Sequence, residues 1–349
     1  MDTGKMEKIY FGKTADGKET FLFVFKTSKM QFAVSDYGST LVKVIVKDKN
    51  DNPVDVALGY DDVTGYESDP GSYLGCNVGR NANRIANAKF VLDGVEYVLD
   101  KNDGENNLHS GFAPYSKRVW NVEEQSDSSI TFGLESPHMD QGFPGNVKMK
   151  VTYKILAEDT FGIYYEAVSD KDTVINMTNH SYFNLNGEGA GTILKHKVTL
   201  HGEFFTPTNE NLIPTGEVVP VEGTPMDFRL EKTVGSQIFE EYQPLILAGG
   251  YDHNWITGSD GNLHEIVVAK GDQSGITMKI STDYPGVQMY SGNFLDGLSG
   301  KHGHIYEKRE GICFEPQFYP NAINQPEFII PVCRAGEVYR REIVYKFEA

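Results

Sequence analysis

The sequence predicts an all-β protein, a large antiparallel β-sandwich with few short helices. Three observations predict it: period-two alternation of apolar and polar residues, an Asp-Gly turn between two such runs, and glycine and proline scattered along the whole chain. In Val147–Ile155, the residues Val147, Met149, Val151, Tyr153 and Ile155 fall on one side, and Lys148, Lys150, Thr152 and Lys154 on the other. A strand with one buried face needs this spacing, because successive side chains point to opposite faces. The pattern repeats at Met30, Phe32 and Val34, at Val42, Val44 and Val46, at Ile276, Met278 and Ile280, and at Ile343, Tyr345 and Phe347. Asp93-Gly94 separates Phe90-Val91-Leu92 from Val95-Glu96-Tyr97. A type I′ hairpin turn asks both central residues for positive φ, which this pair tolerates. The 36 glycines and 15 prolines are spread evenly, as many short strands joined by tight turns require. Helical periodicity is rare, and Val234–Leu247 is the one stretch expected to hold a short helix. With no repeat, low-complexity segment or linker, residues 1–349 read as one domain, sheet packed on sheet, with the chemistry carried by loops.

Composition narrows the function. Apolar residues are 39% and charged residues 23%, enough for a sizeable globular core. The formal charge of −17 opposes nucleic acid, anionic membranes and polyanionic substrates, since the average field repels them. Cys76, Cys313 and Cys333 are odd in number and form no CxxC pair, so reduced thiols are expected rather than a disulfide framework. The N-terminal MDTGKMEKIYFGK lacks an apolar signal-peptide core, and no apolar run approaches the roughly 18 residues of a membrane span. By elimination the expected location is the cytoplasm.

Six stretches are denser in polar and aromatic groups than the strands around them. Gly79–Ile85 carries Arg80, Asn81, Asn83 and Arg84, directional donors suited to sugar hydroxyls. Asn106–Phe112 places His109 beside Ser110 and Gly111. Met177–Leu185 contains His180, the best candidate for a general acid because imidazole titrates near neutrality. Gly249–Trp255 sets Asp252 among aromatics, and Tyr284–Asn293 holds Gln288. Ile312–Pro326 sets Glu315 after Ile312-Cys313-Phe314, at an expected strand end, where desolvation should raise its pKa and make it a better base. Each stretch, taken singly, is as readily a solvated loop, a satisfied core histidine or a paired structural carboxylate. His302-Gly303-His304 is a weak metal signal without nearby Cys or a helical HExxH, and no metal is expected there. A Ser-His-Asp hydrolase would want a G-x-S-x-G elbow, which is absent.

Their order and wording carry more. Asn83-Arg84-Ile85, Leu108-His109-Ser110-Gly111, the run Thr178 to Leu185 (TNHSYFNL), Pro225-Met226-Asp227-Phe228-Arg229, Gly250-Tyr251-Asp252-His253-Asn254, Pro285-Gly286-Val287-Gln288-Met289-Tyr290 and the run Glu315 to Ala322 together resemble the aldose 1-epimerase (galactose mutarotase) family. The resemblance runs from about Ile9 to Tyr345. It implies the family's β-supersandwich and a cofactor-free isomerase that interconverts the α and β anomers of free aldohexoses such as galactose and glucose. It implies Glu315 as general base and His180 as general acid. Asn83, Arg84, His109, Asp252 and Gln288 would bind sugar, and the backbone around Ser181 and Tyr182 would line the site. Pro316 stands where the family commonly has threonine. A carboxylate Glu315 and an imidazolium His180 would suit near-neutral pH. The expected partner is a small aldose, with no nucleic acid and no membrane, in a monomer or weak homodimer. Two readings on the same fold stand beside this one: a hexose-phosphate 1-epimerase and a non-catalytic sugar-binding protein. A glycoside hydrolase would use two carboxylates, whereas the expected acid here is a histidine.

Overall fold

A computed structural model describes residues 4–258 and 260–349. Its architecture is mostly β, built on three larger antiparallel sheets. The first is a five-stranded meander from Glu7–Lys13 to Pro53–Asp55. The second has nine strands, with Val147–Ala157, Thr160–Ser169 and Val338–Glu348 side by side near its middle. The third has six strands in the spatial order Tyr182–Phe183, Ile312–Gln317, Gly286–Tyr290, Asp252–Ile256, Phe204–Thr206 and Val219–Pro220.

The alternation read from the sequence is the alternation of burial. Val147, Met149, Val151, Tyr153 and Ile155 are buried, while Lys148 and Lys154 are exposed. The other four triplets are buried as well. Asp93 (φ 49°) and Gly94 (φ 81°) form the hairpin turn between Lys89–Leu92 and Val95–Val98, both in the left-handed region that the I′ turn demands. The sheets meet through stacked aromatics. Phe32 of the five-stranded sheet lies 4.7 Å from Phe161 of the nine-stranded one, centroid to centroid. Phe161 lies 5.2 Å from Tyr345, and Tyr345 lies 5.6 Å from Phe183 of the six-stranded sheet. One apolar core therefore draws on all three sheets, from Phe23 to Phe347.

The helix expected within Val234–Leu247 is smaller and later than that range. Val234–Ser236 is a 3-10 turn, and the α-helix is Gln243–Ala248, with Pro244 in its first turn and Gly249 closing it at φ 67°. A second six-residue helix, Val63–Ser68, is capped by the Asp62 carboxylate, which accepts from the N–H groups of Thr64 and Gly65. Neither is long enough to show a 3.6-residue period. Among the described residues no helix is long and apolar enough to cross a membrane.

Candidate active site

The six-stranded sheet is fully buried on its central strands, and its two faces do different work. In antiparallel pairs, directly opposed residues share a face. Ile312, Phe314, Val287, Met289 and Trp255 point into the apolar core. The alternate residues point the other way, and cross-strand register gathers them: Asn254 opposes Gln288, Gln288 opposes Glu315, Asp252 opposes Tyr290, Tyr290 opposes Cys313, and Cys313 opposes Tyr182. In Ile-Cys-Phe-Glu-Pro-Gln, Ile312 and Phe314 thus face the apolar core and Cys313, Glu315 and Gln317 the opposite side. Glu315 lies inside this strand rather than at its end, since pairing runs on through Pro316 and Gln317. Asp252 and Glu315 are both held by strands, whereas loops are the expected carriers of most of the chemistry.

This polar face floors a cavity of about 430 Å³. Asn83, Arg84, His109, His180, Tyr182, Asp252 and Glu315 line it, joined by Tyr73, Tyr290, Phe294 and Leu298, which sequence reasoning did not single out. Tyr290 was findable: it stands two residues beyond Gln288 in the same strand and so shares its face. Tyr73 carried no periodic signal. Gln288 acts from beside the cavity, where its Nε2 donates to Asp252 Oδ1 at 2.7 Å. Ser181 is turned away; its hydroxyl donates to Asn179 Oδ1 at 2.5 Å, while its neighbour Tyr182 donates to the Ser72 carbonyl at 2.9 Å.

Local backbone geometry sets the remaining groups. Arg84–Ile85 pairs with Asn107–Leu108, bringing the N-R-I and L-H-S-G motifs together. The N–H of Asn83 donates to His109 Nδ1 at 3.1 Å, and the N–H of His109 donates to the Asn83 carbonyl at 3.1 Å. An imidazole that accepts at Nδ1 carries its proton on Nε2. Tyr73 (φ 59°), Asn83 (φ 61°) and His109 (φ 50°) all adopt left-handed backbone, a conformation that non-glycine residues take up mainly where the surroundings enforce it. Arg84 Nε donates to Asp103 Oδ2 at 2.7 Å, which holds the guanidinium at the cavity wall. Arg80, by contrast, is wholly buried away from the cavity, donating to the Ser136 hydroxyl (2.7 Å), the Thr173 hydroxyl (3.2 Å), the Gly145 carbonyl (3.1 Å) and the Pro144 carbonyl. It is a structural arginine.

His180 sits in the two-residue step between Thr178–Asn179 and Tyr182–Phe183. Its N–H donates to the Cys76 carbonyl at 2.8 Å, and its own carbonyl accepts from Gly75 at 3.0 Å. Its ring is enclosed by Tyr73, His109, Tyr182 and Tyr290, with centroids 5.2–6.4 Å away. Nε2 stands 3.6 Å from Glu315 Oε1, and Nδ1 stands 3.7 Å from Cys313 Sγ. Burial pushes the Cys313 thiol well up, so it stays S–H beside Nδ1.

Burial dominates the electrostatics. It drives His180 down to about 4 and His109 well below its ordinary range, the latter helped by His180. Burial also raises Glu315 well above the carboxylate range, with Asp252 pushing the same way and Arg84 opposing. Asp252 itself is raised by burial against the pull of Arg84 and Gln288. The 3.6 Å approach of His180 and Glu315 is therefore not a fixed ion pair. Desolvation favours neutral imidazole facing neutral carboxyl, the reverse of the carboxylate–imidazolium assignment expected from sequence. Both arrangements hold one mobile proton.

His180, Cys313 and Glu315 offer three atoms within 4.8 Å of one another, a spacing a metal ion would accept. Metal binding by cysteine needs the thiolate, and the raised Cys313 thiol argues against that use. A second group, Glu188, His302 and His304, lies outside the cavity lining.

Comparison with known proteins follows the same lines. The sequence profile of the family described as Aldose 1-epimerase matches residues 22–346. Galactose mutarotase of Mus musculus is 36% identical over 343 residues, covering 97% of this chain and 98% of that protein. Aldose 1-epimerase of Escherichia coli is 33% identical over 339 residues, covering 96% and 97%. The crystal structure of galactose 1-epimerase from Lactobacillus acidophilus superposes with a TM-score of 0.84 at 25% identity, covering 99% of this chain and 98% of that one. A GalM/aldose epimerase homologue from C. elegans superposes with a TM-score of 0.85 at 29% identity, covering 98% and 99%. With a family profile matching residues 22–346 and full-length relatives above 30% identity, the chain belongs to the aldose 1-epimerase family.

Proposed function

We propose that the protein is an aldose 1-epimerase acting on free aldohexoses, galactose and glucose among them, through Glu315 and His180. The observation that carries this reading is the 3.6 Å approach of Glu315 Oε1 and His180 Nε2 on the buried floor of one cavity. The anomeric hydroxyl and the ring oxygen of a pyranose hang on the same carbon, so two groups this close can each address one of them. Glu315 takes the proton from the anomeric hydroxyl. The O1–C1 bond becomes a carbonyl as C1–O5 breaks, and O5 receives the proton from His180 Nε2. The aldehyde turns about C1–C2 and is attacked by O5 on its other face, with His180 now the base and Glu315 the acid. One proton leaves and one returns in each half-reaction, so the balance closes without oxidant or phosphoryl donor.

The pair needs one proton and one lone pair between its members. Carboxylate with imidazolium supplies them, and so does carboxyl with neutral imidazole; the two differ only in where the shared proton rests. Substrate hydroxyls at the floor supply hydrogen bonds to both groups and bring the charged arrangement within reach. Each general catalyst contributes about 10²–10⁴-fold. Asn83, Arg84, His109 and Asp252 orient the ring, Gln288 fixes the Asp252 carboxylate, and the tyrosine rings offer flat faces to sugar C–H groups. Arg84 is the one Lys or Arg among the lining residues, against the carboxyl groups of Asp252, Asp296 and Glu315, which disfavours a phosphorylated sugar. The expected setting is the cytoplasm, with the chain acting as a monomer or weak homodimer and its full length as one domain. Polarimetry of freshly dissolved α-galactose and α-glucose tests the reading. Added protein should speed the approach to the equilibrium rotation; an unchanged rate would leave only a sugar-binding role.

A further inference from the structure

Outside the catalytic cavity, one cluster of ligating side chains is assembled from two distant segments. Glu188 belongs to the turn that follows Tyr182–Phe183, and His302 and His304 lie in the hairpin between Leu298–Ser299 and Ile305–Tyr306. The single oxygen Glu188 Oε1 stands 2.9 Å from His302 Nδ1 and 3.0 Å from His304 Nδ1. We propose that Glu188, His302 and His304 form a binding site for one divalent transition-metal ion of the imidazole-preferring class, zinc foremost.

Four features of the cluster support a metal over a purely structural carboxylate. Two imidazoles meet the same carboxylate oxygen with the same ring nitrogen, and all three donor atoms lie within 4.8 Å of one another, so they enclose a point. Two histidines and one carboxylate are the protein ligands of open zinc sites, and two imidazoles argue against calcium or magnesium, which take oxygen donors. The carboxylate is buried (8% exposed) and its other oxygen accepts from the Tyr306 hydroxyl at 2.6 Å, an outer partner of the kind that orients ligating carboxylates. Both histidines are exposed, which leaves the outer coordination positions to water.

The nearby cation does not compete. Lys301 Nζ directs its donors at Asp55 Oδ2 (2.7 Å), the Ala57 carbonyl (2.7 Å) and the Val42 carbonyl (3.0 Å), which uses all three. Gly189 keeps the site accessible to His304, since a Cβ there would come within 2.3 Å of His304 Nδ1. To accept a metal, each imidazole presents a bare Nδ1 with its N–H on Nε2, a tautomer that water supplies without net charge change. The ion would clip the segment that descends from His180 to the hairpin whose first strand carries the cavity-lining Leu298. Its expected action is to stiffen one wall of the cavity, with no part in the proton transfers.

The test is titration of chelator-treated full-length protein with Co²⁺ and Zn²⁺, read by calorimetry and by the visible absorption of bound Co²⁺, with Ca²⁺ as the hard-ion control. The expected result is one equivalent of Co²⁺ or Zn²⁺ per chain, a raised thermal midpoint on binding, and loss of both effects in Glu188→Gln and in the double variant His302→Ala, His304→Ala. Mutarotation by these variants stays at the wild-type level, which also shows that they fold. The proposal is overturned if wild-type protein binds neither ion, if Ca²⁺ binds equally well, or if the variants bind as wild type does. In the last case the ion would sit elsewhere, the His180–Cys313–Glu315 floor being the alternative, and would inhibit turnover.

Discussion

Replacing Asp252 by Asn should shift one limb of the pH–rate profile and leave the other in place. Glu315 is raised first by burial and second by the Asp252 carboxylate, while His180 is brought down to about 4 by burial. The competent pair holds a single proton. Acid removes competence by adding a second proton, at the low value of His180; alkali removes it by taking the last proton, at the raised value of Glu315. Asp252 and Glu315 stand on strands separated by one intervening strand. Asp252 opposes Tyr290 and Glu315 opposes Gln288, so two strand steps of ~4.8 Å and two residues of ~3.4 Å put them about 12 Å apart. At an effective dielectric of about 20, unit charges at that distance interact by ~1.4 kcal/mol, about one pKa unit. Asn preserves the shape, and its side-chain oxygen still accepts from Gln288 Nε2. Losing the negative charge makes the Glu315 carboxylate easier to form. The alkaline limb of kcat/KM should therefore fall by about one pH unit, and the acid limb should stay where His180 sets it. The assay is initial mutarotation rate by polarimetry across the pH range at sub-saturating sugar, with each profile normalised to its own maximum because Asp252 also binds substrate. An alkaline limb that stays fixed or moves upward would refute the electrostatic coupling of these two carboxyl groups.

Other perturbations have defined outcomes. Glu315→Gln should lower kcat by about 10²–10⁴-fold while sugar still binds; turnover within a few-fold of wild type would remove Glu315 from the mechanism. His180→Asn should likewise act on kcat, and a change confined to KM would make it a binding residue. Arg80→Ala should leave the cavity chemistry alone yet destabilise the fold by about 3 kcal/mol or more, since several buried acceptors lose their donor at roughly 1–3 kcal/mol each; urea unfolding would measure this, and a loss below about 1 kcal/mol would contradict the structural role of its network. Gly189→Ala should weaken any Co²⁺ binding by pushing His304 away from Glu188, while mutarotation continues unchanged.

The fold was legible where a strand has one wet face. Val147–Ile155 alternates because lysine and threonine face solvent or the edge of the core, and its burial follows the same period. The strands that build the site are harder to read, because Ile312–Gln317 and Gly286–Tyr290 are buried on both faces. One face is apolar core and the other a polar floor, and only the knowledge that opposed residues share a face separates them. That is why Glu315 reads from sequence as a strand-end glutamate when it is a mid-strand one. The two six-residue helices are too short to show periodicity, so the expected Val234–Leu247 helix reduces to Gln243–Ala248. Asn83, Arg84, His109, His180 and Asp252 came from motif wording, and the cavity lining contains all of them. Tyr73 and Phe294 are cavity residues by virtue of loop conformation, which no periodic signal encodes. Glu188 and the two histidines lie 114 and 116 positions apart in the chain, so the weak His-Gly-His signal acquires its third member only in the folded structure.

The central claim is that the two groups on the cavity floor form one proton-exchanging unit, and a double-mutant cycle addresses it most directly. Mutarotation of α-galactose would be followed for wild type, Glu315→Gln, His180→Asn and the combined variant. Residues acting as a unit are grossly non-additive, so the combined variant should be about as slow as the slower single one. Losses that multiply would mean that each residue acts independently, and the shared-proton mechanism would be wrong.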